Sequence, residues 1–291
     1  MRYGTKALVV CLAGLSIPVV SCAGLYIAFK RAPSVAPASF QQLIIAHRGG
    51  AQDAPENTLG AILQSARSGV TAVEIDAQLS KDHIPVVIHD PTLERTTDGK
   101  GEVSGHSLAQ LKALRIVRPE GSSFSDERIP TVEEVSRLIV QQNLILEIDV
   151  RPEVLDKKEM ANRISALFEK YDLYGRAFVS SFHPIFLYQL RSINPKITTA
   201  LSMRPNATGN FLVDGLLVSD TLIAFLGVAM IEPHKQMVNP GFVEKWRRKN
   251  LVINAWTINS AAEKEHFKKF MIAITTNCPL GSCSDLPSDM L

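Results

Sequence analysis

The sequence predicts an α/β fold, a (β/α)8 barrel, and three observations carry that reading. From residue 43 onward, strand-like and helix-like stretches alternate for about 250 residues, the usual size of such a barrel. Three apolar runs then hand over to titratable groups: 43–46 to His47-Arg48, a second run to Glu74-Ile75-Asp76, and 85–88 to His89-Asp90. Chemistry gathered at the carboxyl ends of strands is the habit of barrels and open parallel sheets. Finally, the run 144–150 carries Glu147, Asp149 and Arg151 on one face by strand alternation.

The chain's 291 residues suit one large domain plus an appendage, and a net charge of +2 with 21% charged residues points to no nucleic-acid partner. After a short tail (1–6), residues 7–29 carry no charge and are long enough to span a bilayer. A signal peptide ending near Ser21-Cys22-Ala23 and a lipobox at Cys22 are competing readings. The apolar run continues past both to Phe29, which favours one uncleaved transmembrane helix and a membrane location. Basic residues on both flanks leave its orientation open. Residues 30–42, with Pro33 and Pro37, read as a linker to a domain spanning 43–291.

Within that domain a helix runs from Asn57-Thr58 to about Ser68, closed by Gly69. Glu74 and Asp76 stand two apart in a strand, so both point to one face, where they repel unless a cation lies between them. An oxygen-rich pair of this kind suits Mg²⁺ or Ca²⁺. The link to the next strand is too short for a parallel crossover, so 73–88 reads as a hairpin. Symmetry about Lys81-Asp82 would set Glu74 opposite His89 and Asp76 opposite Val87. Residues 91–130 form a small insertion after the His89 strand, with one helix at 107–114.

Further on, 156–171 reads as a helix and 176–182 as a strand, with a structural His183 just after it. Another strand covers 197–201. The apolar stretch 211–231 contains Asp214 and Asp220, which argue against a second span. It reads as a helix and then a strand at 228–231, with a membrane-facing surface helix as the alternative. A helix at 243–250 precedes a strand at 251–256, where Trp256 is a pocket wall or a core residue. The last strand covers 271–275. Asn206-Ala207-Thr208 is a glycosylation sequon. Cys278 and Cys283 could close a small disulfide loop in an oxidising compartment.

The pattern His47-Arg48-Gly49-Gly50, Pro55-Glu56-Asn57-Thr58, Glu74-Ile75-Asp76, the run 85–90 and Arg95-Thr96-Thr97-Asp98 resembles the glycerophosphodiester phosphodiesterase family, above all its membrane-anchored animal members. The resemblance covers roughly 43–279. It implies hydrolysis of glycerophosphodiesters, glycerophosphoinositol for example, to glycerol 3-phosphate and an alcohol. His47 and His89 would be the general acid/base pair, and Arg48 and Arg151 would bind phosphate. Glu74, Asp76 and Asp149 would hold a divalent metal, Mg²⁺ or Ca²⁺, with Glu147 as the alternative third ligand. The catalytic domain would be extracellular or luminal, and the insertion would shape the leaving-group pocket. Two positions depart from the pattern: Arg151 replaces the usual Lys, and Asn277 the usual Asp. Rival expectations are a lysophospholipase D acting on lysophospholipids or glycerophospho-N-acylethanolamines, and a catalytically silent barrel binding a phosphorylated ligand.

Overall fold

In the computed structural model, residues 35–50, 54–117, 123–124, 127–206, 209–210, 215–216 and 218–281 are described. The strands are β1 (Ile44–Ala46), β2 (Ala72–Leu79), β3 (Pro85–Val87), β4 (Ile116–Val117), β5 (Ser123–Phe124), β6 (Ile145–Val150), β7 (Ala177–Ser181), β8 (Thr199–Met203), β9 (Met230–Pro233), β10 (Val252–Ala255) and β11 (Ala273–Thr276). Eight of them run parallel in the order β1-β11-β10-β9-β8-β7-β6-β2, and β1 pairs back onto β2, so the sheet closes into a barrel. The helices are α1 (Leu59–Arg67), α2 (Leu108–Ala113), α3 (Val132–Gln142), α4 (Lys157–Tyr171), α5 (Pro184–Ile193), α6 (Asp220–Leu226), α7 (Pro240–Arg247) and α8 (Ala261–Lys268). The apolar segment 7–29 lies outside the described residues. Among these, no helix is long and apolar enough to cross a membrane.

Local chemistry sets the helix starts. Thr58, Thr131, Asp156, Ser219, Asn239 and Ser260 each accept a backbone N–H at a helix N-terminus, a cap worth about 0.5–2 kcal/mol. Strand alternation then sorts the side chains. Val73, Ile75, Ala77, Leu146, Ile148 and Val150 belong to the main core between strands and helices. The opposite faces of β2 and β6 turn Glu74, Asp76, Glu147 and Asp149 into the barrel, level with one another in register.

The barrel interior is layered. At the end where the strands begin, Ile45, Ala72, Phe178, Ala200 and Met230 form a separate apolar cluster, with Phe40 among them. The stretch read as a linker thus ends in a plug: Ala38–Phe40 forms a 3-10 turn, and the fully buried Phe40 ring sits 5.3 Å from that of Phe178. Above this layer the interior turns polar.

The hairpin exists, one residue out of the expected register. Ala77, not Asp76, lies opposite Val87, and the Ile88 N–H donates to the Asp76 carbonyl. The loop holds three residues, with Ser80 paired to Ile84 and His83 at φ 59 in the left-handed region. A turn closed by a left-handed residue accommodates that odd number. The expected pairing of Glu74 with His89 falls with it, and His89 instead leaves the ladder beyond the end of β3.

The insertion packs its own small core of Val86, Ile88, Leu93, Val103, Leu111, Ile116 and Ile129, and carries α2 and the β4–β5 pair. In the apolar stretch 211–231, α6 covers Asp220–Leu226, Gly215 and Leu216 are also helical, and β9 begins at Met230. Phe40→Ala should lower the unfolding free energy by about 3–5 kcal/mol, read as a fall in the urea midpoint. An unchanged midpoint would mean that the turn merely rides on the barrel.

Candidate active site

A cavity of about 310 Å³ opens at the carboxyl ends of the strands, lined by His47, Arg48, Glu74, Asp76, His89, Glu147, Asp149, Arg151 and Trp256 among others. Every residue singled out in the sequence for this chemistry therefore meets in one place. His183 does not line the cavity; it caps α5. Nor does any described residue of the insertion, contrary to the expectation that it would shape a pocket.

The Gly-Gly turn aims the first two groups. After β1 the chain makes a single 3-10 turn, with Arg48 at φ 52, Gly49 at φ 80 and Gly50 at φ 103. A Cβ on Gly50 would collide with Ser65 Oγ, whose hydroxyl is committed to the Gly49 carbonyl at 2.7 Å. So folded, the Arg48 N–H points into the barrel and donates to Glu74 Oε2 at 2.7 Å. Its guanidinium donates to Glu56 at 3.1 Å and stands 3.6 Å from Asp76.

Glu74, Asp76 and Asp149 are buried, and one oxygen from each lies within 4.8 Å of the others, a set that could hold a metal ion. The surroundings differ. Burial, then Asp76 and Asp149, push the Glu74 carboxyl well above its usual range. Burial also raises Asp149, to about 6, although Arg151 opposes it at 2.9 Å. For Asp76, burial is overcome by His89, Arg151, Arg48 and His47, which hold it well below the carboxylate range. Asp76 is further fixed by a side chain the sequence reading left at a helix start: Asn57 Nδ2 donates to Asp76 Oδ2 at 2.8 Å, and Asn57 Oδ1 accepts the Asp76 N–H at 3.1 Å.

Glu147 lies one step deeper on β6 than Asp149. It accepts from Ser180 Oγ at 3.0 Å and Asn254 Nδ2 at 3.3 Å, and hydrogen-bonds Glu232. Two carboxyls bond to each other only when one keeps its proton. Burial and the neighbouring acids push Glu147 well above its ordinary range, and burial takes Glu232 to about 7. Glu147 is thus committed to a shared proton with Glu232, level with Glu74 in register and one step below Asp149.

The two histidines have different partners. His47 Nδ1 lies 2.5 Å from Asn277 Oδ1, the ring N–H donating, and Nε2 is 3.9 Å from Glu74. Burial, then the Arg48 charge, lowers His47 from 6.5 to about 4, so it is neutral at ordinary pH. His89 Nδ1 donates to the Asp90 carboxylate at 2.7 Å. Asp90 is gripped by Arg95 at 2.6 and 3.1 Å, and the same guanidinium makes two 2.8 Å bonds to Glu56. The Glu56–Arg95–Asp90 bridge belongs to motifs visible in the sequence, yet its pairing was not legible there. Among the described residues of the insertion, this arginine braces His89 from behind. Trp256 forms a wall, its Nε1–H donating to the Glu232 carbonyl at 2.8 Å and its ring edge-on to Phe182 at 5.5 Å.

NMR of the metal-free protein should show the His47 ring neutral, its proton on Nδ1, until the pH nears 4. Asn277→Leu should erase that tautomer preference. Protonation of His47 near 6.5 would contradict the geometry.

The sequence pattern of the glycerophosphoryl diester phosphodiesterase family matches residues 47–279. Glycerophosphodiester phosphodiesterase 1 of Mus musculus is 33% identical over 249 residues, covering 78% of this chain and 75% of that protein. A glycerophosphodiester phosphodiesterase of Caldanaerobacter subterraneus is 28% identical over 227 residues, covering 78% and 90%. Among solved structures, an Oleispira antarctica phosphodiesterase in complex with the product sn-glycerol 3-phosphate superposes with a TM-score of 0.73 at 27% identity, covering 83% of this chain and 95% of that one. With the family's pattern running from His47 to the turn after β11 and a relative 33% identical over 78% of the chain, the chain is an enzyme of the glycerophosphoryl diester phosphodiesterase family.

Proposed function

We propose that the chain hydrolyses water-soluble glycerophosphodiesters, such as glycerophosphoinositol, to glycerol 3-phosphate and a free alcohol, with His47 as general base and His89 as general acid. The observation that carries the division is the difference in partners. Asn277 is a neutral amide and leaves His47 an uncharged ring with Nε2 available as an acceptor. His89 Nδ1 instead faces the Asp90 carboxylate at 2.7 Å, an anion where His47 has an amide. Two titratable groups whose settings diverge are the usual basis for acid and base roles.

The cation site fits a hard divalent ion. Three buried carboxylates with mutual repulsion supply oxygen ligands, and Glu74, Asp76 and Asp149 would hold Mg²⁺ or Ca²⁺. Bound there, the ion would neutralise charge on a nonbridging phosphate oxygen. Arg48 Nε and Arg151 Nε are buried donors with no hydrogen bond, as expected where a phosphate is received. With the phosphate so held, His47 Nε2 takes the proton of the attacking water as its oxygen bonds to phosphorus. The phosphorus–oxygen bond to the alcohol breaks, its electron pair stays on that oxygen, and His89 Nε2 delivers the proton. The glycerol 2-hydroxyl in water's place would give a cyclic phosphate opened by the same pair.

The location follows the same reading: segment 7–29 anchors the chain, and the barrel faces the extracellular or luminal side. Support comes from Cys278, which is disulfide-bonded, a state typical of oxidising compartments. Asn206 is exposed, as a sequon asparagine should be. A second reading, lysophospholipase D, is favoured by the exposed Leu155, Ile185, Leu216 and Leu280, which follow strands at the end where the cavity opens.

Glycerol 3-phosphate release from glycerophosphoinositol should need a divalent cation, and His47→Ala or His89→Ala should lower kcat by about 10²–10⁴. Faster release from a lysophospholipid would instead favour the second reading. Calorimetry supplies a readout apart from turnover. Because Asp149 is raised to about 6, Mg²⁺ binding should release protons and tighten as pH climbs through that value. Binding indifferent to pH between 5 and 8 (roughly the span of ordinary stability) would exclude these ligands.

A further inference from the structure

Of the arginines lining the cavity, Arg48 and Arg151 are already claimed by carboxylates. Arg204 is different. It directly follows β8, lines the cavity, and is exposed. Its guanidinium lies 5.7 Å from the centre of the Phe182 ring, and among the described residues it faces no carboxylate at ion-pair distance. Phe182 in turn rests edge-on against Trp256 at 5.5 Å, which itself packs on His234 at 5.0 Å. An aromatic face attracts the cation and limits its orientations while leaving the N–H fork free to grip an anion.

Position gives this free fork its meaning. In the closed sheet, β8 stands four strands from β1 by way of β11, β10 and β9, which in an eight-stranded barrel is directly across. His47 and Arg48 follow β1, so a diester whose phosphate lies beside them extends one arm toward Arg204. The glycerol arm is the same in every substrate and carries only neutral hydroxyls. The alcohol arm varies, and a charge reader is useful only there.

We infer that Arg204, held over Phe182, is a specificity residue that selects glycerophosphodiesters whose leaving alcohol carries an anionic group. The inference rests on the phosphodiesterase reading above and names the substrate class within it. Glycerophosphoserine and glycerophosphoethanolamine, which differ by one carboxylate, form the test pair for the full chain with Mg²⁺. The kcat/KM ratio should favour the serine diester and should fall about 10- to 100-fold in Arg204→Gln, the range of a charge-assisted hydrogen bond. The change should sit mainly in KM for the serine diester. Arg204→Lys, a charge without the planar fork, should restore part of the ratio. An unchanged ratio, or equal losses on both diesters, would overturn the assignment while leaving the phosphodiesterase reading intact. A wild-type chain that hydrolyses neither diester would overturn both.

Discussion

Five carboxylates, Glu74, Asp76, Glu147, Asp149 and Glu232, are buried inside one end of the barrel, and their mutual repulsion is the constraint on which the rest of the site depends. An unpaired charge away from water is costly enough that a fold must pair it, solvate it or discharge it. This chain uses each device at a different place. Glu147 and Glu232 keep a proton between them, within a net of Ser180, Ser202 and Asn254. Level with Glu147, Glu74 takes a backbone N–H, and one step up the strand Asp76 takes Asn57 and two guanidiniums. Glu74 and Asp149 stay under-compensated: burial and neighbouring acids raise both, although Arg151 opposes the rise at Asp149. The deficit of positive charge thus lies at the cavity floor, among the three oxygens that could close on a cation.

The same constraint explains the strained turn at Arg48. A positive φ in a residue other than glycine is uncommon and costs energy. Here it turns the Arg48 N–H inward to Glu74, while the side chain reaches Glu56 and Asp76. Glu56 is then shared with Arg95, which also holds Asp90 and so orients His89. One chain of charge-assisted bonds runs from the metal-competent acids out to the insertion. The described residues of the insertion contribute to the site through a brace rather than through a wall.

Alternation made much of this legible. A strand period of 2 fixed which acids share a face, and Asp149 above Glu147 follows from strand direction alone. What was hidden depends on pairings that no local pattern encodes. His47 and Asn277 are 230 positions apart and meet only because β1 and β11 close the barrel. The hairpin register depended on His83 entering the left-handed region, where glycine or asparagine would have signalled the turn and histidine did not. Phe40 carried no periodicity, since a single plug residue has none. Arg204 stands out by no local pattern, and its lack of a carboxylate partner among the described residues is a fact of three dimensions.

Arg151 and Asn277, the two departures from the family pattern, make sense as one adjustment of charge. At position 277 a carboxylate would hold a proton on His47 through a short bond, because an anion beside an imidazole favours the charged ring. The amide keeps the bond and the tautomer without that bias, and burial beside Arg48 then leaves the ring neutral. Removing an anion from this rim also lessens the demand for mobile positive charge. At position 151 the fork binds Asp149 at 2.9 Å and Asp76 at 3.3 Å through one nitrogen. Its Nε makes no hydrogen bond and stands 3.9 Å from Glu153, a donor held in a fixed plane that a lysine's compact ammonium would not provide. The substitutions therefore sharpen the contrast between the histidines and leave a fixed, planar cation beside the carboxylate cluster.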